Sequence, residues 1–154
     1  MVDVRRFVQW TAQSWVAAGI GLLYLLWRSL VFIIPDSHYM DIRLIVARDA
    51  KVGEPVLLEV VRYINANYHA QWHVSVRQEL GNSVSTVVCS SDAHQVYKVG
   101  PKLPAVRTLD FWTRGRCSTL PEGEYTITTT VEVDGGWLPD RTISYTTPLF
   151  KVTP

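Results

Sequence analysis

The sequence predicts an all-β domain, an antiparallel β-sandwich of about seven or eight strands over residues 39–154, preceded by one transmembrane helix over residues 7–34. Three observations predict it. Between Arg6 and Arg28 lie 21 consecutive residues without a formal charge, Phe7 to Trp27; from Tyr39 onward apolar and polar residues alternate; and turn residues interrupt that alternation at short intervals. At about 1.5 Å per helical residue, the uncharged run reaches about 30 Å, the thickness of a bilayer's hydrocarbon core.

A secretory signal peptide also opens with positive charge, here Arg5 and Arg6, and continues into apolar residues. The apolar material here extends past Arg28 through Ile34, and the exit Pro35-Asp36-Ser37-His38-Tyr39 has no small-x-small cleavage site, which favours an uncleaved anchor. Gln9, Thr11, Gln13 and Ser14 dilute its first half, so the span either begins near Phe7 or shifts towards Ile34 and takes Arg28 inside. Positive charge ahead of the span predicts a short cytoplasmic N-terminus (1–6), a linker at 35–38, and a periplasmic or extracellular C-terminal domain. Trp10, Trp15, Tyr24 and Trp27 fit aromatic belts at the two interfaces. On a helical wheel Gln9, Gln13, Ala17, Gly21, Tyr24 and Arg28 share about a third of the circumference. That stripe of amides and small residues suits docking against another helix, although such residues are also common in any single span.

Beyond the linker the strands follow in order. Met40, Ile42, Leu44 and Val46 alternate as a first strand, closed by Lys51-Val52-Gly53-Glu54-Pro55. Residues 55–64 read as a second, ended by Asn65-Ala66-Asn67. Tyr68, Ala70, Trp72, Val74 and Val76 alternate with His69, Gln71, His73, Ser75 and Arg77 as a third. Gly81-Asn82 turns the chain into a run at 84–90, and Ser90-Ser91-Asp92-Ala93 reads as a turn before a short edge piece at 94–99. Strands at 106–113, 125–133 and 141–145 follow, with Phe150 and Val152 continuing the last across Pro148.

Leu120-Pro121-Glu122-Gly123-Glu124-Tyr125-Thr126-Ile127 resembles the tyrosine corner of immunoglobulin-like domains, and Trp72 on the third strand resembles their core tryptophan. The resemblance implies an immunoglobulin-like sandwich in which Gly123 and Tyr125 form a structural corner, the hydroxyl bonding back to backbone upstream. The inter-sheet cysteines of antibody-type domains are missing, Ile127 standing at the later position, so the resemblance is to the fold alone. The anchor and single compact domain are similar in style to small membrane proteins of bacteria and their phages.

Net charge is +1 and there is no basic run, so nothing points to a nucleic-acid partner. Cys89 and Cys117 are the two cysteines, and a candidate disulfide between them would stabilise by about 3 kcal/mol in the chain-entropy model; two thiols that never meet is the alternative. His69 and His73 sit four apart on a strand, about 13 Å, too far to share a metal, and His38 and His94 are isolated, so no metal is expected. Ser90, Ser91, Asp92 and His94 lack a nucleophile elbow, and no phosphate loop is present; no catalytic residue and no cofactor is expected.

Recognition remains. Trp112, Arg114, Arg116 and Trp137 are of the types that anchor interfaces, and they either form a binding surface or, for the tryptophans, join the core. The expected function is a non-enzymatic, membrane-tethered interaction or structural module, an accessory subunit or an envelope or virion component. Its expected partners are membrane lipid and another membrane protein or a second copy through the helix. The alternative is a glycan- or peptidoglycan-binding domain acting through Trp112, Trp137 or His73.

Overall fold

The computed structural model describes the backbone of residues 4–100, 105–136 and 138–154, and the side chains of 14–30, 32–100, 105–136 and 138–154. Helix α1 (Val4–Ile33) leads through a 3-10 turn (Asp36–His38) into β1 (Met40–Ala47), β2 (Ala50–Lys51), β3 (Leu57–Ile64), β4 (Tyr68–Glu79) and β5 (Ser85–Tyr97). Strand β6 (Ala105–Thr108) runs into a short helix α2 (Leu109–Thr113), and β7 (Gly123–Asp134), β8 (Arg141–Thr146) and β9 (Phe150–Thr153) complete the order.

Two sheets form. The smaller has the order β1-β3-β6, and the larger the order β2-β9-β7-β4-β5, with β8 also paired to β7. Along its length β7 has β4 on one side; on the other, residues 123–125 pair with β9 and 128–133 with β8. Alternation on β4 sends Tyr68, Ala70, Trp72, Val74 and Val76 inward, where they join Met40, Ala47 and Leu58 of the small sheet and Ile127, Val131 and Val133 of β7 in one core; Ser75 between the two valines is buried as well. His69, Gln71 and His73 are left on the outer face.

Helix α1 corrects the expected architecture. Among the described residues no helix is long and apolar enough to cross a membrane. Its described side chains include the charged Arg28 and the hydroxyls of Ser14 and Ser29. The expected transmembrane helix over 7–34 is therefore not supported, nor is the single-pass placement with its cytoplasmic N-terminus and outside domain. Instead, α1 is fixed to the β domain at its C-terminal end. Leu30 and Ile34 pack against the core, the Arg141 guanidinium donates to the Ile34 carbonyl and pairs with Asp36, and Asn65 Nδ2 donates to the Ser37 carbonyl at 2.7 Å.

Two local readings also change. Residues 90–93 form no turn: β5 is continuous, with small Ser91 and Ala93 turned inward opposite Val74 and Trp72 while Asp92 and His94 face out. Residues 106–113 are strand only to Thr108. The Thr108 hydroxyl then caps α2 by accepting from Phe111 N, and Leu109 and Thr113, four apart, are buried on one side of the turn.

The corner at Tyr125 is a fixed point. Its ring is fully buried and stacks on Phe150 at 5.8 Å, while its hydroxyl donates to the Pro121 carbonyl at 2.8 Å. Cys89 and Cys117 are joined as a disulfide with Cα atoms 6.3 Å apart, tying the edge strand of the large sheet to the segment that leaves the edge of the small one through α2. Tyr125→Phe should lower the unfolding free energy by about 1 kcal/mol in urea titrations, the net value of one hydrogen bond. Reduction of the disulfide should cost about 3 kcal/mol in the same assay, because 28 residues of separation then regain their freedom in the unfolded chain.

Candidate functional site

Two surfaces stand out, one apolar and one polar. On α1 apolar side chains are exposed around the whole circumference: Trp15 is 78% exposed, Ile20 63% and Leu23 67%, with Val16, Leu22, Leu25 and Leu26 beside them. Gly19 and Gly21 have nothing within 4 Å of where a Cβ would lie. Of the expected docking stripe, Ala17, Gly21, Tyr24 and Arg28 are exposed on this helix, and Tyr24 packs its ring 5.9 Å from Trp27. The side chains of Gln9 and Gln13 lie outside the described residues, as does Trp10.

Of the other tryptophan and arginine positions, Trp112, Arg114 and Arg116 each make a contact within the domain, the two arginines remaining exposed. Trp112 is half-buried, and the Arg62 guanidinium lies 5.5 Å over its ring and 5.4 Å over that of Tyr97. Arg114 adopts the left-handed conformation, φ 53°, and its guanidinium lies 5.8 Å over the Trp72 ring. Arg116 donates to the Ser90 carbonyl at 3.2 Å. Trp112, Arg62 and Trp72 also line the space between the sheets, whose mouth lies at this end. Trp137 lies outside the described residues.

From this mouth an aromatic row runs across the core: Tyr97 stacks on Tyr68 at 4.9 Å, and Tyr68 meets Tyr39 edge-on at 5.6 Å. Burial raises the phenol pKa of Tyr68 and Tyr97, and it pushes Tyr145 up to about 12, with Asp36 and Asp41 adding to that last shift. Between the sheets a cavity of about 20 Å³, lined by Ile42, Ile45, Trp112 and Thr129 among others, has room for a water.

The polar surface is the outer face of the large sheet. Register places Gln71 of β4 directly opposite His94 of β5 on one side and Glu132 of β7 on the other; one step along, His69 stands between Val96 and Asp134. These residues, with Asp140, Arg141 and Thr142, line an open trough of about 550 Å³. Asp134 accepts from Gly136 N at 2.8 Å and Asp140 from Gly135 N at 3.3 Å, so both carboxylates shape the β7–β8 turn. Alternation along β4 gave His69 and His73 their outward direction. The partnership of His94 was hidden because Ser90-Ser91-Asp92-Ala93 reads as a turn; the outward alternation of Asp92 and His94 with inward Ser91 and Ala93 is the signal that reveals it.

The chemistry is limited by these placements. Ser91 faces the core while Asp92 and His94 face out, so the three cannot converge on one substrate. Among the described residues no three His, Cys, Asp or Glu side chains could hold a metal ion. Comparison with known protein families, curated proteins and solved structures returned no match.

The buried phenols generate a pH prediction. Above about pH 10 the tyrosines ionise in the unfolded chain while the folded protein holds Tyr68, Tyr97 and Tyr145 protonated. The native state then binds more protons than the unfolded one, so stability falls as pH rises. Urea midpoints measured between about pH 9 and 11.5 should drop above about pH 10, and Tyr145→Phe should reduce the drop.

Proposed function

We propose that this chain is a non-enzymatic interaction module of a larger assembly, in which α1 pairs with the α1 of a second copy. The observation that carries this reading is the apolar circumference of α1, from Trp15 to Leu26, left uncovered by its own β domain. A helix apolar all round is stable when other chain covers it, and each fully buried Leu or Ile contributes about 1.5–3 kcal/mol. A second copy fits because the run from Phe7 to Trp27 carries no charge, so two such helices approach without like-charge repulsion. Ala17 and Gly21, one turn apart, set no bulk between the backbones at the crossing, and a two-fold axis there gives each helix the same contact.

In this arrangement the β domain is a rigid head. Arg141, Asp36, Asn65 and the packing of Leu30 and Ile34 hold it to the helix, so assembly through α1 fixes the direction in which the head is presented.

Substitution at Gly21 separates assembly from folding. A side chain there meets open space within its own chain, and Leu favours helix over Gly by nearly 1 kcal/mol, so Gly21→Leu leaves α1 and the domain intact. Sedimentation velocity should show the full chain as a dimer or higher oligomer, and Gly21→Leu should weaken that association at least tenfold. A wild-type chain that stays monomeric across the concentration range, or a Gly21→Leu chain that assembles like wild type, would overturn the reading.

A further inference from the structure

The outer trough of the large sheet holds four side chains that have no partner among the described residues. His69, Gln71, His94 and Glu132 make no hydrogen bond or ion pair with the protein or with one another, although Gln71 stands directly between His94 and Glu132. Cross-strand neighbours on one face are about 5 Å apart at Cβ, so the row forms a flat array of polar groups at regular spacing. The trough above it, about 550 Å³, lies within the about 300–1,000 Å³ typical of small-molecule sites.

The chemistry of the array selects the ligand. Gln71 offers an amide that both donates and accepts, each neutral imidazole offers one donor and one acceptor, and Glu132 offers acceptors alone. A ligand that matches all four must itself donate and accept at closely spaced points, which is the property of a sugar ring carrying several hydroxyls. Its charge is also constrained. Glu132, Asp134 and Asp140 give the trough an acidic lining, and Arg141, the one Arg or Lys in the lining, is paired with Asp36, so anionic ligands are disfavoured. Asp134 and Asp140 are already engaged with the backbone of the turn, which leaves Glu132 as a single free carboxylate, too little to define a site for a polycation. The exposed side chain of Val96 beside His69 supplies an apolar rim for the C–H face of the ring.

We propose that this trough binds a neutral saccharide, with Gln71 and Glu132 bonding hydroxyls from the centre of the row and His69 and His94 flanking the ring. Among the described residues no tryptophan lines the trough, so the site is distinct from the mouth at Trp112 and independent of assembly through α1.

The four histidines of the chain provide the readout. The full chain, labelled on its histidine rings, is titrated with maltotriose, cellotriose and chitotriose, and the ring resonances are followed by NMR. With at least one of these, His69 and His94 should shift saturably with a Kd near the millimolar range, while His38, on the 3-10 turn outside the trough, stays in place. Gln71→Ala and Glu132→Gln, both exposed positions, should each weaken binding about tenfold without changing the His38 signal. The proposal is overturned if none of the three sugars moves His69 or His94 at about 20 mM, some twenty times the millimolar scale. It is equally overturned if all four histidines shift together, if the variants bind as wild type does, or if trigalacturonate binds as well as the neutral sugars.

Discussion

The central constraint is the pairing of β4 on both edges. Strand β4 bonds to β5 from Tyr68 to Glu79 and to β7 from His69 to Glu79, so its register sets that of the whole large sheet. Side chains alternate with a period of two from Tyr68 to Val74, ahead of the bulge between Val76 and Arg77, so the register over that stretch fixes two surfaces at once. It sends Trp72, Val74 and Val76 into the core and lines His69, Gln71 and His73 along the outer face. A slip by one residue would bury the histidines and expose the tryptophan, which is why the core and the polar trough are one decision rather than two.

The remaining features close what β4 leaves open. At one edge, the Cys89–Cys117 disulfide and the Arg116 bond to Ser90 hold α2 against β5. At the other, the Tyr125 hydroxyl anchors the entry to β7 on Pro121. The immunoglobulin-like resemblance rests on that corner and on Trp72, residues of this chain alone. At the base of α1, Arg141 at the start of β8 reaches both the Ile34 carbonyl and Asp36, so the helix is held by the same sheet whose outer face forms the trough.

Much of this was legible in the sequence, and the failures have physical reasons. The alternation at 68–77 and 125–133 identified β4 and β7, because each turns one face into the core; at 40–46 it located β1 but not its faces, since a bulge between Ile42 and Leu44 leaves Leu44 exposed and sets Ile45 against the space between the sheets. Ser90-Ser91-Asp92-Ala93 read as a turn because Ser and Asp favour local backbone bonds; here pairing with β4 overrides that preference, and small inward residues are what Trp72 and Val74 leave room for. The strand expected at 106–113 stops at Thr108 because the period changes from two to four at Leu109, within a segment too short to show it in the sequence. The trough was not legible, since it joins residues from β4, β5, β7 and β8 whose adjacency depends on register. The charge-free run from Phe7 to Trp27 gave the long helix, but the membrane span expected of it does not stand, because absence of charge is not hydropathy and no described helix is long and apolar enough to cross a bilayer.

In the arrangement proposed above, a β4-centred head is presented by a helix whose apolar surface would be covered by a second copy. Native-state amide hydrogen exchange of the full chain, followed over a range of protein concentrations, tests both parts in one measurement. The account predicts that β4 amides exchange only by global unfolding, and that α1 amides at positions 15–30 become more protected as concentration rises. Rapid, concentration-independent exchange along α1, or β4 amides exchanging as freely as the chain ends, would contradict it.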